Sequence, residues 1–434
     1  MEGQLKSGAI LISESLNKYR VVTLLGAGGQ GEVYKVECNG RHYALKWYFK
    51  HMATKEQKII LDNLITKGTP DKSFLWPQDL IYNKIEESYG YIMPLRPENF
   101  KSIVDMMKRR VEPTFYCLCR AAYNLTSCYQ KLHSMGYSYH DISFGNLFFN
   151  PENGDVLICD NDNVSANGLD SCSVYGTPRF MAPEIVKGIA KPSRNTDLYS
   201  LAVLLFYMFM MGHPLEGKLE ANIKCMDIHA MNEIYGYNPV FVYDPINKSN
   251  RPVSGYHDNV LIFWDLYPQK LRALFNDSFT TGLASPNKRV TENIWLDILS
   301  NLMTGIVRCP ACDAEIFLDE SKAKVNVAHI CWNCNCTVQI PVSIILGKNR
   351  VVLTKGAKLF SHHIYSDYNM NTVIGTVVQN PNNPKVWGIR NMSNCNWTYI
   401  KSDGIQFAIP IGKSAPIAKD AKINFGQIIG EFNI

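Results

Sequence analysis

The chain has 434 residues, of which 46% are hydrophobic and 19% charged, with a formal net charge of +5. Such a length suits two or three domains, and the balance suits buried cores, which excludes a disordered chain. So small a net charge gives no electrostatic ground for a nucleic-acid or membrane-surface partner. The N-terminal MEGQLKSGAI lacks the charged-then-apolar pattern of a secretory signal. The longest apolar run, Leu201–Met211, falls short of the roughly 20 apolar residues that a spanning helix needs. It reads as a buried core helix, and a soluble, cytoplasmic protein is expected. There are 13 cysteines, an odd number. In a reducing compartment most of them should be free thiols packed as small hydrophobes.

Up to about residue 100 the pattern is β-rich. Tyr19–Leu25 and Glu32–Glu37 flank a glycine cluster, and Asn39-Gly40 signals a type I′ hairpin turn before a returning strand at Tyr43–Tyr48. Thr54–Ile65 has helical spacing with Thr54 as N-cap. From about 100 to 305 the pattern is helical, with long periodic segments at Phe115–Met135 and Asp197–Met211. Residues 306–340 carry two Cys-x-x-Cys pairs in a loop-rich stretch. From 343 onward, short strands with Gly, Asn and Pro turns predict a small all-β domain.

The loop Gly26-Ala27-Gly28-Gly29-Gln30-Gly31-Glu32-Val33 lies between two predicted strands. Glycines there let backbone N–H groups approach phosphate oxygens. A following strand and hairpin favour a flap over ATP rather than a dinucleotide fingerprint, which would open a helix. Lys46, in the apolar strand Tyr43-Ala44-Leu45-Lys46, needs a partner for its charge. ATP phosphates and a carboxylate from the next helix would supply one, with Glu56 preferred over Asp62. Met93, in Tyr91-Ile92-Met93-Pro94-Leu95, reads by itself as an ordinary core methionine.

The segment Tyr139-His140-Asp141-Ile142-Ser143-Phe144-Gly145-Asn146 and the later Asp160-Asn161-Asp162 complete the set. Together these motifs resemble the protein kinase superfamily, and the resemblance spans roughly residues 19–305. It implies Asp141 as the base that takes the acceptor proton, Asn146 and Asp160 as Mg²⁺ ligands, and Lys46 on the ATP phosphates with Glu56 orienting it. It also implies Gly26, Gly28, Gly31, Val33, Ala44 and Met93 around the nucleotide. Tyr175–Glu184 resembles the G-T-x-x-[YF]-M-A-P-E stretch of Ser/Thr kinases, with Thr177 shaping the floor for the acceptor residue. The same resemblance pairs Glu184 with Arg289 and makes Asp197 the buried carboxylate beneath the catalytic loop. The chain departs from the family at Tyr139, His140, Ser143, Asn161 and Asp162. Ser143 stands where a lysine usually touches the γ-phosphate, and without the usual arginine at His140, control by activation-loop phosphorylation is less expected.

Cys309-Pro310-Ala311-Cys312 and Cys331-Trp332-Asn333-Cys334 have the spacing of a structural zinc site, with Cys336 and His329 as nearby substitutes. Further on, Trp387–Thr398, Ile411-Gly412-Lys413 and Ile423–Gly426 resemble the second half of a forkhead-associated (FHA) sandwich, a domain that usually reads phosphothreonine. No phosphate-gripping arginine and serine can be placed in its first half, so a scaffold without peptide binding is the simpler reading. The whole arrangement is similar to bacterial kinases that accompany a PP2C-type phosphatase and a von Willebrand A protein of the tellurite-resistance type.

The expectation is therefore an α+β chain. A bilobal protein-kinase-like fold occupies 1–305, with an N-lobe at about 19–95 and a C-lobe at about 96–305. A zinc ribbon at 306–342 and an FHA-like β-sandwich at 343–434 follow. The expected activity is Mg·ATP-dependent phosphorylation of Ser/Thr in protein substrates, in bacterial signalling or stress response, with Zn²⁺ purely structural. Two rivals are a catalytically weak pseudokinase scaffold, suggested by the altered motifs, and a nucleic-acid-binding regulator acting through the ribbon, which lacks a basic cluster.

Overall fold

A computed structural model describes residues 3–83, 88–167, 176–318 and 329–434, and the chain divides into two compact units. The first comprises Met1–Pro113, Asn124–Leu261 and Phe275–Glu292; the second comprises Thr114–Tyr123, Ile262–Leu274 and Asn293–Ile434. The division differs from a single boundary at residue 305. Its cause is aromatic packing within the second unit: the rings of Phe115 and Tyr267 lie 5.1 and 5.0 Å from that of Phe317.

The first unit opens with an antiparallel sheet of β1 (Ile10–Ile12), β2 (Lys18–Ala27), β3 (Gly31–Cys38), β4 (Arg41–Tyr48), β5 (Asp79–Asn83) and β6 (Ser88–Pro94), in the order β1-β2-β3-β4-β6-β5. Asn39 and Gly40 both have positive φ, 50° and 75°, as the type I′ turn between β3 and β4 requires. Strand alternation sorts β4 cleanly. Leu45 and Trp47 join one core with Val36 and Ile92, while Ala44 and Tyr48 join another with Tyr91 and Met93. Helix α1 (Lys55–Lys67) starts at Thr54, whose side chain accepts from the Gln57 N–H at 3.1 Å, and stops at Gly68, φ 78°.

Next come β7 (Lys101–Ser102), α2 (Ile103–Met107), α3 (Phe115–Ser134), β8 (Tyr137–Ser138), β9 (Leu147–Phe149), β10 (Val156–Ile158) and β11 (Ser165–Ala166). Strand β9 pairs with β7 and β10, and β8 with β11. The short α4 (Pro183–Val186) precedes α5 (Arg194–Met210), which is buried all round from Thr196 to Met210. A helix apolar on every side has no solvent face to present, so the Leu201–Met211 run is core. Phe206 meets Phe241, Phe275 and Phe279 edge-on. Among the described residues, no helix is long and apolar enough to cross a membrane.

In the second unit, hairpin β12 (Ile306–Arg308)/β13 (Glu315–Phe317) and hairpin β14 (His329–Ile330)/β15 (Thr337–Val338) carry the cysteine pairs at their turns. Ten strands follow: β16 (Ser343–Leu346), β17 (Asn349–Val352), β18 (Lys358–Phe360), β19 (Val373–Asn380), β20 (Asn383–Asn391), β21 (Trp397–Ile400), β22 (Gln406–Ile409), β23 (Ser414–Pro416), β24 (Lys422–Asn424) and β25 (Ile429–Asn433). They form antiparallel sheets β17-β16-β25-β24-β21-β22 and β18-β19-β20-β23. Ile344, Trp397 and Ile423 from one sheet share a core with Val377, Ile389 and Ala415 from the other. One short helix, Ser361–Tyr365, interrupts the all-β pattern.

Candidate active site

The glycine loop is a tight strand–turn–strand. Gly28 N–H donates to Gly31 O at 2.8 Å, directly joining the ends of β2 and β3. Gly31 has no room for a side chain, since a Cβ would sit 2.1 Å from the Trp47 carbonyl oxygen, whereas nothing lies within 4 Å of a Cβ at Gly26 or Gly28. Glycine at Gly31 is thus demanded by packing against β4, and at Gly26 and Gly28 it leaves the backbone uncovered. Val33, Ala44 and Met93 pack in one apolar cluster with Leu95, Leu157 and Cys159, and Ala44 faces Met93 across the β4/β6 ladder.

Lys46 is 4% exposed and bonds to Gln30 Oε1 at 2.7 Å and Asp162 Oδ2 at 2.8 Å, with Asp160 Oδ1 at 3.6 Å. Burial alone would pull its ammonium down, but Asp162 and Asp160 outweigh that and hold its pKa above the ordinary value. Glu56 is a correction. It is exposed on α1 and is not among the carboxylates at Lys46. One residue further along, Gln57 faces the site instead and donates from Nε2 to the Asp162 backbone carbonyl at 3.0 Å. The shift of one residue turns a side chain by about 100° around the helix, enough to exchange an exposed face for an inward one. Asp62 lies 3.7 Å from Lys58.

The catalytic loop is held from below and above. Asp197 on α5 accepts from the backbone N–H of Tyr139 at 2.7 Å and of His140 at 3.2 Å, which fixes His140 at φ 68°. Tyr139 replaces the usual histidine, fully buried, and its hydroxyl donates to the Cys159 carbonyl. His140 turns inward to Ser138 and Ser165, at 3.0 and 2.9 Å. Asp141 accepts from Thr177 Oγ1 at 2.7 Å and from Asn146 Nδ2 at 2.8 Å. Gly176 reaches this position with φ 118°, and a Cβ there would lie 2.9 Å from the His140 carbonyl oxygen. The loop 168–175, including Tyr175, lies outside the described residues.

The structure brings Asn146 and Asp160 to this same place: Cys159 N–H, beside Asp160, donates to the Asn146 carbonyl at 3.0 Å. The Asn146 amide nitrogen is committed to Asp141, while Oδ1 meets the Cys159 thiol at 3.9 Å, a weak contact that a cation could replace. Asp160 sits in the left-handed region at φ 53°, and its side chain is 39% exposed, against 1% for Asp162. Two hard oxygens, one amide and one carboxylate, suit Mg²⁺. Further along, Arg289 grips Glu184 bidentately at 2.7 and 2.8 Å, as the motif implied.

In the second unit the sulfurs of Cys309, Cys312, Cys331 and Cys334 all lie within 4.8 Å of one another, with Cys309–Cys334 and Cys312–Cys331 each 3.6 Å apart. Tetrahedral Zn–S bonds of about 2.3 Å place sulfurs roughly 3.8 Å apart, so these four fit zinc. Cys336 and His329 are not members of that group. The segment 319–328 between the pairs lies outside the described residues.

Sequence reasoning missed Gln30, Tyr48, Tyr91 and Asp162 at the site. The available signal was charge parity: a buried lysine with a neutral residue at Gln57 requires a carboxylate from elsewhere.

The protein kinase domain model matches residues 19–262. A probable serine/threonine-protein kinase CCRP1 of Zea mays is 27% identical over 208 residues, covering 46% of this chain and 32% of that protein. Serine/threonine-protein kinase PknD of Chlamydia abortus is 24% identical over 252 residues, covering 50% of this chain and 26% of that protein. Serine/threonine-protein kinase plk-2 of Caenorhabditis elegans is 25% identical over 217 residues, covering 47% and 32%. The chain therefore spans about a third or less of the length of these curated relatives.

Proposed function

The chain belongs to the protein kinase family, and on that premise we propose that it transfers the γ-phosphate of Mg·ATP to serine or threonine hydroxyls of protein substrates. The observation that carries this reading is Asp141, held between Thr177 and Asn146 beside the exposed carboxylate of Asp160. Asp141 would orient the acceptor hydroxyl and take its proton as the oxygen bonds to the γ-phosphorus. The bond from that phosphorus to the β–γ bridging oxygen breaks, and ADP leaves. Lys46 and the backbone of Gly26, Gly28 and Gly31 would bind the phosphates, while Val33, Ala44 and Met93 would receive the adenine. Asn146 and Asp160 would hold Mg²⁺, which neutralises charge on the transferred phosphoryl group. Ser143 supplies no cation where a lysine is usual, so a modest turnover is expected.

The family match ends at residue 262, and the rest of the chain is read from its own features. We read residues 306–342 as a structural zinc ribbon, supported by the four convergent sulfurs. Residues 343–434 are read as an FHA-like sandwich, supported by two antiparallel sheets on one core. Phosphothreonine binding there, a PP2C-type phosphatase and a von Willebrand A protein as partners, a cytoplasmic location and a role in bacterial signalling rest on the motif resemblance alone.

The test is transfer of labelled γ-phosphate from Mg·ATP to the chain itself and to a generic basic substrate, with wild type beside Asp141→Asn. Transfer that collapses in the variant supports the kinase and its base, and the labelled residues report Ser or Thr. Nucleotide binding with no transfer by either protein would replace this reading with a scaffold.

A further inference from the structure

We propose that Asp162, not a carboxylate of helix α1, is the positioning residue for Lys46, so that the nucleotide-binding lysine and the metal carboxylate Asp160 are set by one short turn. The inference rests on the reading of Lys46 as the residue that binds ATP phosphates.

Asp162 is a carboxylate almost wholly removed from water, its side chain 1% exposed. A charge there persists only if donors surround it, and the sheet supplies them. Lys46 Nζ meets Oδ2 at 2.8 Å, the Tyr48 hydroxyl donates to the same oxygen, and the Tyr91 hydroxyl donates to Oδ1 at 3.0 Å. These donors share one face for a simple reason. Lys46 and Tyr48 are two residues apart on β4, and Tyr91 lies directly opposite Lys46 on β6. The turn Asn161–Asn163 that follows the left-handed Asp160 lifts Asp162 to this face.

Helix α1 brings no competing carboxylate to Lys46 among the described residues, and its Asp62 lies 3.7 Å from Lys58. Glu56 is exposed, Gln57 is neutral and bonds to the Asp162 carbonyl, and Lys58 is engaged by Glu14 at 2.8 Å. Without Asp162, the carboxylate left near Lys46 among the described residues would be Asp160, at 3.6 Å. The lysine would then close on the metal ligand and compete with Mg²⁺. Asp162 keeps the two apart by satisfying the lysine from the far side.

Full-length wild type, Glu56→Gln, Asp162→Asn and the double variant Asp162→Asn/Gln57→Glu separate the alternatives through three readouts: ATP KM and kcat, calorimetric affinity for Mg·ADP, and thermal melting. Asp162→Asn keeps the shape and one acceptor oxygen but removes the charge, and the tyrosine hydroxyl that meets the new amide nitrogen must accept instead of donate. We expect it to raise the ATP KM and weaken Mg·ADP at least tenfold, while Glu56→Gln stays within twofold of wild type. Returning a carboxylate at Gln57 should recover a substantial part of the loss, which a folding defect would not allow. A wild-type ATP KM and Mg·ADP affinity in Asp162→Asn, or a tenfold loss in Glu56→Gln, would overturn the proposal. Failure of the kinase reading shows separately, as absence of transfer by the wild type, and the Mg·ADP affinities still decide the role of Asp162.

Discussion

The hydroxyl of Thr177 donates a 2.7 Å hydrogen bond to Asp141, tying the residue after Gly176 to the candidate base. The opposite carboxylate oxygen is held by Asn146, so Asp141 is oriented from two sides. A hydrogen bond to a charged acceptor is worth about 1.5–3 kcal/mol. Thr177→Ala is therefore expected to lower kcat by roughly 10- to 100-fold, with little change in ATP KM, and Thr177→Ser should retain most activity. Steady-state kinetics on both variants check this; an unaltered Thr177→Ala would remove the link between the two segments.

His133 predicts a pH dependence of stability. Its Nε2 lies 2.9 Å from Asp197 Oδ2, and its Nδ1 bonds to Glu292. Burial alone would lower its pKa, but the hydrogen bonds to Asp197 and Glu292 outweigh it and raise the value from 6.5 to about 9. A folded pKa above the unfolded one stabilises fully below 6.5, and the contribution disappears as pH rises through about 9. The difference corresponds to about 3 kcal/mol. Burial alone would raise the Glu292 carboxyl, but its bonds to His133 and to Arg194 hold it at about 2, so part of that lowering is the His133 contact seen from the other side. Melting curves of wild type and His133→Gln should differ at pH 6 and converge near the alkaline end; a gap independent of pH would contradict the charged imidazole.

Arg289 and Glu184 predict a purely structural loss. The arginine side chain is 2% exposed and the glutamate 15%. Removing one partner leaves a buried charge, so Arg289→Ala should cost about 3–5 kcal/mol. Arg289→Lys should recover little, because a single ammonium cannot reproduce the fork. Denaturant melts measure both variants.

The four-sulfur cluster predicts one tightly bound Zn²⁺ per chain, detectable by elemental analysis after dialysis. Cys309→Ser or Cys331→Ser should lose the metal and lower the melting temperature, and strong chelation of the wild type should reproduce the effect. A wild-type chain without zinc that forms disulfides instead would refute the assignment.

Much of the site could be read from residue spacing. Lys46, Asp141, Asn146 and Asp160 stand out because phosphate, proton and metal chemistry allow few residue types at those positions, and Asn39-Gly40 shows its turn because few residues accept positive φ. The helix partner of Lys46 was not legible. Glu56 and Gln57 are adjacent in sequence, and pattern alone does not resolve helix phase to one residue. Asp162 looked like a mere departure from a motif, because its value depends on Tyr48 and Tyr91 converging from two strands. His140 likewise reads as a lost arginine until Ser138 and Ser165 are seen around it. The first half of the C-terminal sandwich was obscure for another reason. Strand β16 takes β25 as a partner from the far end of the domain, a pairing that no local pattern announces.

The first unit takes in Phe275–Glu292 after the chain has contributed Ile262–Leu274 to the second. The kinase match stops at residue 262, yet Phe275, Phe279, Arg289 and Glu292 all lie past it and serve Phe206, Glu184 and His133. A gene fragment cut at that point would encode a nearly complete set of catalytic motifs on a helix that keeps Phe241 but loses Phe275 and Phe279. The two units are thus woven along the chain, and recombination could exchange the second for another module only by also replacing Thr114–Tyr123 and Ile262–Leu274, which interrupt the first in sequence.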